Sequence, residues 1–233
     1  MQQHDQSEHR HHHHSGTGVA TVTSHVLYEQ GNVIIHVTNE NGDSPTLQSN
    51  HSKQMHLIIV SEDLEEYYHV HPIEQGDGSY TSKLFLQEGH YKAFVDISPA
   101  EGVYHISPHE IVVGNAKEPR KANLRPTESK TVISGKVTAT AQYEDPIKGD
   151  ETVFAFELTG GKPEPYLGAR GHVVILDEAA ETFIHVHPLS DNETKFATSF
   201  DTAGPYKLWA EFKIDGEIHV FAYVIYVKEK EAT

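Results

Sequence analysis

Eight histidines occupy matched positions in two halves of this chain. Residues 56–72 read HLIIVSEDLEEYYHVHP and residues 172–188 read HVVILDEAAETFIHVHP. The segments align without a gap and are identical at 8 of 17 positions, among them His56/His172, His69/His185 and His71/His187. A fourth histidine follows in each copy, His105 in YHISPHEIVV and His219 in IHVFAYVIYV. The second half has no other histidines. Packing has no reason to prefer imidazole at four matched positions. Metal coordination does, because neutral imidazole is the commonest metal ligand.

The spacing says how such a site is built. Side chains at i and i+2 of a strand share a face. His69 and His71 therefore project together with Val70 opposite, and His185 and His187 do so around Val186. A third ligand must come from a neighbouring strand, and His56, His105, His172 and His219 are the candidates. Three or four imidazoles on a rigid sheet suit Zn²⁺ or Cu²⁺. Cu⁺ favours sulfur, and the only methionines are Met1 and Met55, with Gly171 standing at the place matched to Met55. His185 and His187 are expected to be partly exposed and Val186 to face the core.

A lone His-x-His is a weak signal, more often a surface pair, and duplication also copies structural histidines. Against this, other positions in the block have drifted, such as Asp63/Ala179 and Tyr68/Ile184, while the four histidines have not. His25, His36, His51, His90 and His109 lack matches and read as surface or turn residues. Glu62, Glu65, Glu178 and Glu181 read as a solvated acidic turn. The alternative for them is to orient an imidazole through its second N–H.

The elements that must hold these residues are short strands. Val33, Ile35 and Val37 alternate with Ile34, His36 and Thr38, and Asn41-Gly42 then signals a turn. Strands are expected at 56–60, 67–71, 80–86, 90–97 and 104–113. In the second copy they are expected at 132–143, 152–158, 172–176, 183–187, 195–200, 206–214 and 219–227. Later positions match too, with Gly89/Gly204, Tyr91/Tyr206 and Lys92/Lys207. The expected fold class is all-β, with two tandem immunoglobulin-like or cupredoxin-like β-sandwich domains over 19–115 and 131–233. Residues 116–130, with two prolines and many charges, read as the linker. Residues 1–18 read as a disordered His-rich tail, either native or an expression tag.

Composition narrows the function classes. The 233 residues carry 18 basic and 34 acidic side chains, a net charge of −16 with histidine neutral, which argues against nucleic acid as a partner. There is no cysteine, which removes thiolate sites, disulfides and cysteine catalysis. No apolar run reaches the roughly 18–20 residues of a transmembrane segment. The polar start has no signal-peptide core, and the reading is a secreted or cell-surface bacterial protein with its leader removed.

The HLIIV…HVHP segment, the later Gly-x-Tyr-Lys and the final His-containing strand resemble secreted bacterial modules of the YtkA-like and cupredoxin-like kind. The segment VIIHVTNENGDSP also resembles the first paired strand and turn of such domains. The resemblance implies a β-sandwich outside the cytoplasm and metal handling. A blue-copper centre is excluded, because it needs a Cys ligand. The expected function is an extracytoplasmic Zn²⁺ or Cu²⁺ carrier or buffer, partnered by the metal ion and by a membrane transporter or metal acceptor protein. The alternatives are a metalloenzyme with a His-ligated ion on a β scaffold, and an adhesion or interaction module without metal.

Overall fold

The structure is a computed structural model that describes residues 18–49, 52–126 and 128–231. The tail, apart from Gly18, and His51 lie outside the described residues. Among the described residues seventeen strands form and no helix does. The first copy holds β1 (Val22–Glu29), β2 (Asn32–Asn39), β3 (Leu47–Gln48), β4 (Met55–Ser61), β5 (Tyr67–Val70), β6 (Ile73–Glu74), β7 (Ser79–Lys83), β8 (Gly89–Pro99) and β9 (His109–Val113). The second holds β10 (Thr131–Ser134), β11 (Val137–Gln142), β12 (Glu151–Thr159), β13 (His172–Asp177), β14 (Phe183–Val186), β15 (Lys195–Ser199), β16 (Gly204–Ile214) and β17 (Glu217–Val227).

The protein is all-β, and each copy is a sandwich of two sheets. In the first, one sheet runs β1-β2-β7-β6 and the other β3-β8-β4-β5, with β9 also paired to β8. In the second the sheets run β10-β11-β12-β15 and β14-β13-β16-β17. Alternating residues of both sheets fill each core. Val33, Ile35 and Val37 meet Leu57, Ile59, Ala93 and Val95 in the first. Val137, Phe154 and Phe156 meet Val173, Ile175, Leu208 and Phe212 in the second. By contacts, one compact unit holds the described residues up to Arg125 together with Leu176–Phe183, and the other holds Pro126–Ile175 with Ile184 onward.

Two expected strands break. Residues 132–143 form a hairpin rather than one strand: Ser134 pairs with Val137 across Gly135 and Lys136, and Gly135 adopts a φ of 61°. Residues 104–108 are loop, and only 109–113 pair with β8. Pro108 has no N–H to give a ladder, and the Val103 carbonyl instead accepts from the Thr21 and Val22 N–H groups. The second copy has a continuous β16–β17 hairpin at this place, closed by Asp215 and Gly216 at φ 51° and 82°. Both central residues are left-handed there, which suits a two-residue hairpin turn and glycine at its second position.

Candidate metal centre

β4 and β5 form an antiparallel pair in which Leu57 faces Val70 and Ile58 faces His69. Met55, Leu57 and Ile59 enter the core, and Tyr68 and Val70 pack against it. The alternate residues His56, His69 and His71 therefore share the other face of the sheet. Their rings meet there, with centroids 5.4 Å (His56–His69), 4.8 Å (His56–His71) and 4.7 Å (His69–His71) apart. His56 Nδ1 lies 3.1 Å from His69 Nε2 and 3.1 Å from His71 Nε2.

The second copy repeats the arrangement on β13 and β14. Val173, Ile175, Ile184 and Val186 are core, so His172, His185 and His187 turn the other way. Their centroids are 5.9 Å (His172–His185), 5.9 Å (His172–His187) and 4.6 Å (His185–His187) apart. In each cluster the three candidate ligand atoms lie within 4.8 Å of one another. Three nitrogens held tetrahedrally at about 2.0–2.1 Å from one Zn²⁺ are roughly 3.3 Å apart. The 3.1 Å contacts of the first cluster are close to that spacing, and three imidazoles would leave a fourth position of a tetrahedral ion open.

One tautomer in the second cluster is legible. His172 Nε2 lies 3.0 Å from the Tyr166 carbonyl, which only accepts, so Nε2 carries the proton and Nδ1 keeps the lone pair. A tight turn presents that carbonyl: Tyr166 and Ala169 exchange backbone hydrogen bonds across Leu167 and Gly168. The Nδ1 of His172 and the Nε2 atoms of His185 and His187 are shielded from solvent. This pattern of one Nδ1 and two Nε2 atoms matches the contacts of the first cluster.

The clusters differ in depth. His56, His172 and His185 are buried, at 1%, 0% and 7% exposure, whereas His69, His71 and His187 are half-buried. Partial exposure, expected of His185 and His187, thus holds for His187 but not for His185.

The fourth histidines stand apart from both clusters. His219 pairs with Phe212 on the β16–β17 hairpin and has the parity of Phe221, Tyr223 and Ile225, which point into the core. That is the face opposite His172. Its Nδ1–H donates to the Ser134 carbonyl, 3.1 Å away. His105 lies in the 101–108 loop, and its Nε2 donates to the Gly18 carbonyl at 2.7 Å. The glutamates stand apart for a different reason. Glu62 and Glu65 occupy the turn that joins β4 to β5, six residues after His56 and four before His69, roughly 13 Å or more along the strands. Glu178 and Glu181 sit likewise in the turn between β13 and β14.

Two carboxylates not singled out from the sequence lie closer. Asp96 in β8 is the cross-strand partner of His56, and it is buried at 8% exposure. Glu211 in β16, buried at 4%, stands seven residues after Gly204 as Asp96 stands seven after Gly89. Burial, and then the charge of Glu211, push the Tyr166 hydroxyl up to about 12. The Tyr166 ring lies edge-on to His172, with centroids 5.6 Å apart. A carboxylate at the same offset from Gly-x-Tyr-Lys in both copies was the available sequence signal.

A family described as "Domain of unknown function (DUF8832)" matches residues 8–115 and again 130–229. The chain belongs to this family. No curated protein sequence matches the chain. Among solved structures, CopC from Methylosinus trichosporium OB3b is 18% identical with a TM-score of 0.29, over 46% of this chain and 99% of that one. A DUF3823 family protein from Bacteroides ovatus ATCC 8483 is 11% identical with a TM-score of 0.26, over 82% of this chain and 95% of that one. The chicken CNTN1 FN1-FN3 domains are 11% identical with a TM-score of 0.26, over 88% of this chain and 65% of that one. No helix among the described residues is long and apolar enough to cross a membrane.

Proposed function

We propose that this protein binds a divalent metal ion, Zn²⁺ or Cu²⁺, at a three-histidine site in each of two tandem domains, 19–115 and 131–233, joined by the linker 116–130. The ligands are His56, His69 and His71 in the first domain and His172, His185 and His187 in the second. The observation that carries this reading is the repeated cluster itself, three imidazoles converging within 4.8 Å on the same face of the same strand pair, twice. The role is that of an extracytoplasmic carrier or buffer, in line with the resemblance to secreted YtkA-like and cupredoxin-like modules. The half-buried His69 and His71 suit exchange, because an incoming ligand from a transporter or acceptor protein has access to the ion.

The test is metal stoichiometry on full-length protein purified without a nickel column. The tail histidines His4, His9 and His11 to His14 are replaced by alanine so that they do not contribute. Titration should give two equivalents of Zn²⁺ or Cu²⁺. His69→Ala should remove one of them and His187→Ala the other. Binding that survives both substitutions together sinks the reading.

A further inference from the structure

Three neutral imidazoles bring no charge to a doubly charged ion, and each proposed centre has a buried carboxylate on the strand beside its first histidine. Asp96 faces His56 directly across the β4–β8 ladder. Directly paired residues send their side chains to one face, with Cβ atoms about 4.5–5.5 Å apart. Asp96 thus shares the face of the three histidines, while its neighbours Val95 and Ile97 enter the core. Glu211 holds the same place in the second copy. β16 is the hydrogen-bonded neighbour of β13, and the Glu211 backbone carbonyl approaches Gly171, the residue before His172. Its flanking residues Ala210 and Phe212 are core, so its side chain lies on the face of His172. Neither carboxylate belongs to the group of converging ligand atoms.

We propose that Asp96 and Glu211 are positioning residues of the two centres, each supplying from the adjacent strand the negative charge that favours a divalent ion in a cup of neutral imidazoles. This deepens the metal-binding reading and rests on it. A carboxylate buried next to such a cup attracts a dication strongly, because the surrounding apolar atoms screen it poorly. It also fixes the field in which the first histidine presents its Nδ1 lone pair. Groups in this outer position typically change metal affinity 10–100-fold when removed. A purely structural carboxylate would instead show itself in the stability of the metal-free fold.

The experiment uses the full-length protein with the tail histidines replaced as above. Zn²⁺ affinity is measured against a competing chelator, Co²⁺ absorption reports the ligand geometry, and melting is followed without metal. Asp96→Asn should weaken one of the two equivalents about 10–100-fold, and Glu211→Gln the other. Neither should lower the melting temperature of the metal-free protein. Asp96→Glu and Glu211→Asp keep the charge and should retain most of the affinity and the Co²⁺ spectrum. The proposal is overturned if the amide variants bind as tightly as the parent. It is equally overturned if they melt much earlier without metal, or if the charge-preserving variants lose as much affinity as the amides. A parent protein that binds no ion defeats the three-histidine reading itself, a result plainly different from tight binding that ignores these carboxylates.

Discussion

At the scale of single residues, strand parity divides the converging imidazoles from the scaffold. His69 and Val70 are adjacent, as are His185 and Val186, yet the imidazoles join the clusters while the valines face the core. Their substitutions should therefore separate cleanly. Val186 is 4% exposed, and Val186→Ala removes buried methyls at a cost of about 1–3 kcal/mol. That variant should melt early without metal but keep the full metal-induced rise. His69 is half-buried, so His69→Ala should cost the metal-free fold little while the rise from the first site disappears. Paired melts with and without Zn²⁺ read both effects, since a ligand that binds only the folded state stabilises it by mass action. A full metal-induced rise in His69→Ala, with a badly destabilised metal-free form, would make that imidazole structural. The same parity sets His219 aside. Its strand, EIHVFAYVIYV, is apolar on both faces, and a run without alternation does not reveal which face a given side chain takes.

At the scale of elements, each site depends on one hairpin and the strand behind it. The β4–β5 and β13–β14 turns match closely, with Leu64 at φ 59° and Ala180 at φ 50° in corresponding places. Those turns fix the register that brings His56 near His71, and one residue of slip in β5 or β14 would send its two imidazoles into the core. The start of β13 is tighter than that of β4. A Cβ on Gly171 would lie 2.5 Å from a ring carbon of Phe212 and 2.9 Å from the Glu211 carbonyl oxygen. Neither the buried ring nor the backbone has room to give. Gly171→Ala should destabilise the fold by about 1–3 kcal/mol and weaken metal binding at the second site by shifting His172. Zn²⁺ titration of this variant should show the first site unchanged. Equal affinity at both sites in Gly171→Ala would mean that β13 accommodates the methyl without moving the histidine.

At the scale of the whole molecule, stability should fall on mild acidification even without metal. His109 opens β9, with Nε2 2.8 Å from Ser24 Oγ. Burial, and then the charge of His25, lower its pKa from the ordinary 6.5. The neutral ring is thus favoured in the folded state, and the unfolded chain takes up the proton first. Stability from this group is fully present above about pH 6.5 and is lost as pH falls through the folded value. His109→Gln keeps a hydrogen-bonding group and removes the titration. Urea unfolding of metal-free protein from about pH 7.5 to about pH 5.5 should cost the wild type more stability than His109→Gln. Equal losses in the two proteins would count against this assignment.

The all-β class, the repeat and a set of eight matched histidines that contains the six converging ones were legible in the sequence. Period-two alternation and a gapless repeated block carry that information locally, because strand geometry makes side-chain direction a matter of counting. The sequence did not show which of the four matched histidines in each copy converge. His105 and His219 matched each other as faithfully as the rest, and only the pairing of β17 with β16, and the loop that replaces this hairpin in the first copy, set them apart from the clusters. Nor did it expose Asp96 and Glu211. They lie some 40 residues from His56 and His172 in the chain and meet them only through the ladder of the second sheet. Depth of burial was decided there too. Local pattern states which way a side chain points, whereas the tertiary structure decides what stands opposite it and whether water reaches it.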